Sequence, residues 1–249
     1  MRMFCLLAMF TALGWAAPAL AQYEEADGFV SLFNGKDLSG WKVPEGDNGH
    51  WRVVDGVIDY DAGSEAKEDK NLWTEKSYSD FVLKIDWRLK TDPQAPYNVP
   101  VVLQDGSTLK DATGKQITIK RFTPDSGIYL RGISKVQVNM WGWPIGSGEV
   151  YSFRNQPQAT SKVRASVTPR VRADNPIGEW NQFEIYMIQN RLTVMLNQHL
   201  VLENAELDGI PEEGPIALQH HGGKTKDGTY GQASSLIQFR NIWIRELPR

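Results

Sequence analysis

The sequence predicts an all-β fold, on three observations. Short apolar runs alternate with polar residues at the two-residue period of a strand rather than the helical period. No amphipathic helix longer than about two turns can be laid on the chain. Gly, Pro, Trp and Tyr are plentiful, at 22, 13, 9 and 8 of 249 residues, the mix expected of strands punctuated by turns.

Taken in order, Met1 to Ala21 reads as a secretory leader. Arg2 supplies the positive end, Phe4 to Ala12 the apolar run, and Ala19-Leu20-Ala21 the small-residue cleavage site. Residues 22–249 are then expected to form one domain in the periplasm or outside the cell. Cys5 is the only cysteine and leaves with the leader, so no disulfide framework is available. The net charge is −3 with Lys and Arg dispersed, which argues against a nucleic-acid partner, and no second apolar stretch suggests a membrane span.

Trp51 to Val54 and Val57 to Tyr60 read as a hairpin turning at Asp55-Gly56. Phe81 to Leu89 sets Phe81, Leu83, Ile85, Trp87 and Leu89 on one face and Lys84, Asp86 and Arg88 on the other. Residues 93–124 read as an inserted excursion with strands near Val99 to Gln104 and Gln116 to Phe122, around turns at Asp105-Gly106 and Thr113-Gly114. Asp125 to Trp143 reads as two strands turning at Gly132 to Ser134. Ile128, Leu130, Val136, Val138 and Met140 face one way; Tyr129, Arg131, Gln137, Asn139 and Trp141 face the other. That second set of guanidinium, amides and rings suits either a sugar, with hydroxyls and apolar C–H faces, or an ordinary solvated sheet face.

Asn155 to Gly178 has no steady period and reads as a long loop. Trp180 to Ile188 and Leu192 to Leu196 form a hairpin turning at Gln189 to Arg191, and His199 sits in a following turn. In Ile216 to Gly223, Gln219 and His221 share one face, which is the polar face of Arg131 and Gln137 if the strands join one sheet. His220 has the opposite parity, so the two histidines do not form a metal pair. Leu236 to Leu247 is a strand with a phase change near Arg240-Asn241, expected to be a bulge.

No phosphate-binding loop, dinucleotide glycine motif, H-E-x-x-H or G-x-S-x-G is present. No carboxylate pair for ordinary glycoside hydrolysis is visible either. What remains for acid–base work is His221, with Arg131 and Glu149 nearby in the pattern.

Five segments, GFVSLFNGKDLSGWKV (Gly28 to Val43), SGIYLRG (Ser126 to Gly132), GEWNQFEI (Gly178 to Ile185), IALQHHG (Ile216 to Gly222) and FRNIWIREL (Phe239 to Leu247), resemble the DUF1080 family. That family is also called the 3-keto-disaccharide hydrolase, or 3-keto-glucoside 1,2-lyase and hydratase, domain. The resemblance spans nearly the whole of residues 22–249. It implies a concanavalin A-like β-sandwich (jelly roll) of two antiparallel sheets with a concave sugar-binding face.

The resemblance further implies cleavage of 3-keto-glycosides, made by a separate sugar 3-dehydrogenase. C2 proton abstraction, elimination and hydration give net hydrolysis. On it, His221 is assigned as base, Arg131 as the enolate stabiliser and Glu149 as acid. Tyr129, Gln137, Asn139, Trp141 and Gln219 are assigned to substrate binding, with Asp86 and Arg88 lining the groove or facing water. No cofactor or metal ligand is assigned, though a divalent ion is left open. The sequence departs from the family where L-Q-D-H-G would have an acid, here His220, and after V-Q-x, here Asn139. The other reading of the residues is a carbohydrate-binding module without catalysis, since the fold class serves both.

Overall fold

The computed structural model describes residues 27–61, 63–91, 96–222 and 236–248. The expected leader lies outside the described residues.

Two short edge strands come first, β1 (Val30–Ser31) and β2 (Trp41–Lys42). The predicted hairpin follows as β3 (Trp51–Val54) and β4 (Val57–Tyr60). Its Asp55 and Gly56 both adopt positive φ, 50° and 76°, as the tight turn requires. Next are β5 (Leu72–Thr74), the long β6 (Phe81–Thr91), and β7 (Tyr97–Pro100) with β8 (Thr118–Arg121). The last two pair only with each other, so the inserted segment is a separate two-stranded arm.

The arm's strands are shorter than expected because Val102↔Thr108 and Lys110↔Gln116 are isolated bridges. β9 (Asp125–Leu130) and β10 (Ile133–Trp141) follow, then the short helices α1 (Tyr151–Arg154) and α2 (Ser161–Ser166). α2 interrupts the stretch expected to be a loop; Thr160 caps it by accepting Val163 N–H at 3.2 Å. The chain ends with β11 (Asn181–Ile188), β12 (Arg191–Leu196), β13 (His199–Glu206), β14 (Ala217–Leu218) and β15 (Leu236–Glu246). β13 was not anticipated. Its turn is only Asn197-Gln198, both at positive φ, so His199 already belongs to a strand.

The strands make two antiparallel sheets. One runs β13-β12-β11-β6-β15-β4-β3, with β1 added on β15; the other runs β10-β9-β14-β5-β2. The expected phase change in β15 is present as a register shift between Arg240 and Trp243, with Asn241 at φ 49°. The odd-numbered face of β6 from Phe81 to Leu89 packs in one cluster with Ile128, Leu130, Val136, Val138 and Met140 of the smaller sheet. Strand alternation therefore assigns one face of each sheet to this shared core and the other to solvent or ligand.

The β9–β10 turn differs from the expected one. The chain reverses at Arg131 and Gly132, at φ 56° and 74°, so Ile133 already pairs with Leu130. Arg131 thus leaves the strand before alternation can direct its side chain. Gly214 passes so close that a Cβ there would lie 2.3 Å from Arg131 C and 2.4 Å from its O. Because backbone cannot yield as a side-chain tip can, Gly214→Ala should lower stability by about 1–3 kcal/mol in urea unfolding.

Candidate active site

On the outer face of the five-stranded sheet, β9 presents Asp125, Gly127 and Tyr129, while β10 presents Gln137, Asn139 and Trp141. The intervening Ile128, Leu130, Val138 and Met140 are fully buried on the core side. After β14 the chain continues alongside β9, with Gln219 N donating to Gly127 O at 3.0 Å. This brings Gln219 and His221 onto the same face. Gly127 is required here: a Cβ would lie 2.4 Å from Gln137 Nε2, so only glycine lets that amide lie across β9.

Gln137 Nε2 donates to Gln219 Oε1 at 2.6 Å, and Gln219 Nε2 donates to the Tyr129 hydroxyl at 2.6 Å. Burial raises the Tyr129 phenol above its ordinary value. These three side chains form a fixed hydrogen-bonded floor.

Asp125 and His221 meet beside that floor. Nε2 of His221 lies 3.3 Å from Asp125 Oδ2, with the imidazole 41% exposed and the carboxyl 15%. Burial, then the nearby Glu149 charge, push the Asp125 carboxyl up to about 8. Burial lowers the His221 imidazole from its usual value. Near neutral pH the pair is therefore a carboxylic acid next to a neutral imidazole, an acid and a base side by side.

For stability the sign follows from the proton count. Folded Asp125 binds its proton more tightly than the unfolded chain, so its contribution weakens as pH rises from about 4 to about 8. Asp125→Asn should accordingly raise the melting temperature more at pH 8 than at pH 5. An equal shift at both pH values would contradict this account.

Glu149, assigned as the acid, is not open to the pocket. It is fully buried and ion-paired with Arg154. Burial, outweighing Arg154, lifts it to about 7. Its segment runs beside β10, with Asn139 N donating to Glu149 O at 3.1 Å and Gly148 N to Asn139 O at 2.8 Å. The segment is held by Trp141, whose Nε1 donates to Gly146 O at 2.7 Å. Asp174 also holds it, accepting Ser147 N–H at 3.1 Å. Glu149 Oε2 and Asn139 Oδ1 have no hydrogen-bond partner among the described residues.

Trp141, assigned to substrate binding, borders the pocket but is largely covered. It is 4% exposed and lies parallel to Trp143 at 4.2 Å, with Tyr151 edge-on to both at 5.9 and 6.2 Å. Trp143 is half-buried and Tyr151 exposed, so these offer the apolar surface to a ligand. Asp125, Asn139, Trp143, Tyr151, Gln219 and His221 help to line a pocket of about 240 Å³. A second recess of about 330 Å³ opens past His221 toward Asp69 and Asn71.

Three expected site residues lie elsewhere. The Arg131 guanidinium donates to Pro211 O at 2.9 Å, Glu212 O, Gln189 O at 2.9 Å and Asp80 Oδ1 at 3.1 Å. It sits at the Leu130 end of β9, whereas Asp125 and His221 are at the opposite end. Asp86 and Arg88 are on the outer face of the eight-stranded sheet, with the core between them and the pocket. Asp86 accepts from Gln182 at 3.0 Å and Asn241 at 2.7 Å; Arg88 Nε donates to Gln238 at 2.7 Å.

Among the described residues no group of three or more His, Cys, Asp and Glu is placed to hold a metal ion. His220, buried, meets the Tyr60 hydroxyl through Nδ1 and does not join His221. The residues that sequence reasoning passed over are Asp125, Trp143 and Tyr151. Alternation already put Asp125 on the face of Tyr129, two strand periods away, and that signal was sufficient to find it.

A family model described as the 3-keto-alpha-glucoside-1,2-lyase-like domain matches residues 28–245. No curated protein matches the chain. Two crystal structures from Parabacteroides distasonis ATCC 8503, each provisionally described as a glycosyl hydrolase, are similar in fold. One has 24% identity and a TM-score of 0.57 and covers 88% of this chain and 84% of its own. The other has 19% identity and a TM-score of 0.53, covering 92% and 98%. At these identities the likeness shows the fold.

Proposed function

The chain belongs to the 3-keto-alpha-glucoside-1,2-lyase-like family, and from that premise we propose that it cleaves 3-keto-glycosides by elimination followed by hydration. The observation that carries this reading is the Asp125–His221 pair at 3.3 Å, beside a pocket floored by amides and walled by Trp143. A ketone at C3 acidifies the C2–H, so cleavage needs one base, one acid and a donor to the enolate oxygen rather than a pair of ionised carboxylates.

In this reading neutral His221 takes the C2 proton. The electron pair moves into the C2–C3 enolate and then expels the C1 oxygen, leaving a C1–C2 double bond. Asp125, protonated at neutral pH, gives its proton to the departing oxygen, the role the sequence assigned to Glu149. Glu149 instead helps keep Asp125 protonated through its nearby charge. Arg131, at the other end of β9, is too far along the strand to reach the C3 oxygen, and Trp143 contributes its ring as a wall of the pocket. Water then adds at C1 while a proton returns to C2, giving the 3-keto sugar.

In this reading a separate sugar 3-dehydrogenase supplies the ketone, and the leader-like pattern of residues 1–21 supports a reaction in the periplasm or outside the cell. No helix among the described residues is long and apolar enough to cross a membrane.

The test is turnover of a 3-keto-glucoside in D2O. Deuterium at C2 of the released sugar, with a transient enone, is the expected result. Release without C2 deuterium would exclude elimination, and saturable binding without any release would make the protein a carbohydrate-binding module. The rate should follow a bell in pH. It falls on the acid side as His221 protonates, below its ordinary range, and on the alkaline side as Asp125 ionises near 8.

A further inference from the structure

The acid and the base of the reaction above stand on one surface. Asp125 comes from β9, and Gln219 N–H, donating to Gly127 O at 3.0 Å, lays the chain after β14 along that strand, so His221 shares its outer face. His221 Nε2 and Asp125 Oδ2 are 3.3 Å apart. Both residues line the pocket of about 240 Å³.

That spacing bears on stereochemistry, as the separation of two carboxyl groups does in ordinary glycosidases. The base must reach the hydrogen on C2 and the acid must reach the oxygen on C1, each through a contact of about 3 Å. Where that hydrogen and oxygen lie on opposite faces of the sugar ring, the contacts come from opposite sides and the two catalytic atoms stand about 6 Å or more apart. Where they lie on the same face, the two atoms are neighbours, as Nε2 and Oδ2 are here.

Among the described residues no second carboxyl lines this pocket to serve the far face. Glu149 is fully buried and ion-paired with Arg154. The other lining side chains are the amides of Gln137, Asn139 and Gln219 and the rings of Trp141, Trp143 and Tyr151. Of these only Tyr151 carries a hydroxyl.

We infer that the site selects the anomer whose C2 hydrogen and C1 oxygen share a face, which is the β-anomer of a 3-keto-glucoside. This deepens the cleavage reading and rests on it. The family's description names the α-anomer; the Asp125–His221 spacing of this chain fits the β-anomer. His221 Nε2 takes the C2 proton, and the C–H electron pair enters the C2–C3 enolate. The ring puckers to stand the C1–O bond perpendicular to the enolate plane on that same face. The pair then closes the C1–C2 double bond as C1–O breaks, and the Asp125 proton passes to the departing oxygen. In the α-anomer the C1 oxygen leaves from the face turned away from Asp125, without that proton.

The test compares methyl 3-keto-α-glucoside with methyl 3-keto-β-glucoside. Methoxide is a poor leaving group that needs the acid, so kcat/KM for the β-anomer should exceed that for the α-anomer by about 10² or more. The α-anomer should nonetheless exchange its C2 hydrogen in D2O faster than it releases methanol, because the base reaches C2 in both. With 4-nitrophenyl glycosides, whose leaving group departs without a proton, the preference should narrow to less than about tenfold. Asp125→Asn should narrow the methyl preference likewise, and Tyr151→Phe, which keeps the ring, should leave that ratio unchanged.

Equal turnover of the methyl anomers, or preference for α, would overturn the inference and leave the cleavage reading standing; an α preference lost in Tyr151→Phe would move the acid to Tyr151. A β preference unaltered by the nitrophenyl group or by Asp125→Asn would come from fit in the pocket rather than from placement of the acid, and would overturn the inference too. If neither anomer releases product or exchanges its C2 hydrogen, the cleavage reading falls and the inference with it.

Discussion

Arg131→Ala should cost about 3–5 kcal/mol of stability, the loss expected when one partner of a buried ion pair is removed, and should lower the melting temperature on the order of 10 °C. The guanidinium is 1% exposed and ties the β9–β10 turn to Asp80 and to three backbone carbonyls from the 189 and 211–212 segments. Removing it takes a shared donor from three part-buried carbonyls and leaves the buried Asp80 without its cation. Asp80 would keep only the Gln189 N–H, at 2.9 Å. Denaturant unfolding checks the stability, and kcat of the folded fraction checks the chemistry. A variant with wild-type stability and no turnover would return Arg131 to the reaction; a destabilised variant that still turns over would assign it to the fold.

His221→Ala should show the opposite signature. Loss of the base should reduce turnover of a 3-keto-glucoside by about 10²–10⁴, with the unfolding transition moved by less than about 1 kcal/mol, because the ring is 41% exposed and lies beyond the end of β14. C2 exchange in D2O should fall in parallel with turnover, since both require the same proton transfer. Exchange retained while release is lost would move the base to another group and leave His221 a role in departure of the leaving oxygen. Asp125→Asn should slow release more than exchange, since an amide cannot supply the proton that the leaving oxygen takes.

Much of the architecture was legible from alternation alone. The apolar odd positions of β6 and the apolar even positions of β9 and β10 marked one face of each strand for burial, and the family resemblance implied the two-sheet sandwich in which the structure packs them together. The same alternation put Tyr129, Gln137 and Asn139 on one face and Gln219 with His221 on another, the two being one only if the strands joined a single sheet, and the structure joins Gln137, Gln219 and Tyr129 by hydrogen bonds. It failed at Arg131 because a left-handed residue stands outside the strand period. It also could not say which of two sheets carries Asp86 and Arg88. A strand's outward face is visible in sequence; the neighbour of that face is not.

What the chain's sequence by itself determined is local: which residues form strands, where they turn, and which side of each strand is apolar. Those follow from backbone sterics and the two-residue period, which act within a few residues. Only the tertiary structure decided what depends on long-range pairing. It set Asp125 against His221, 96 positions later in the numbering, and buried Glu149 against Arg154. It also stacked Trp141 on Trp143 and left the first 4% exposed. Protonation is settled at the same level, since desolvation and neighbouring charge belong to the assembled site and not to any segment of the chain.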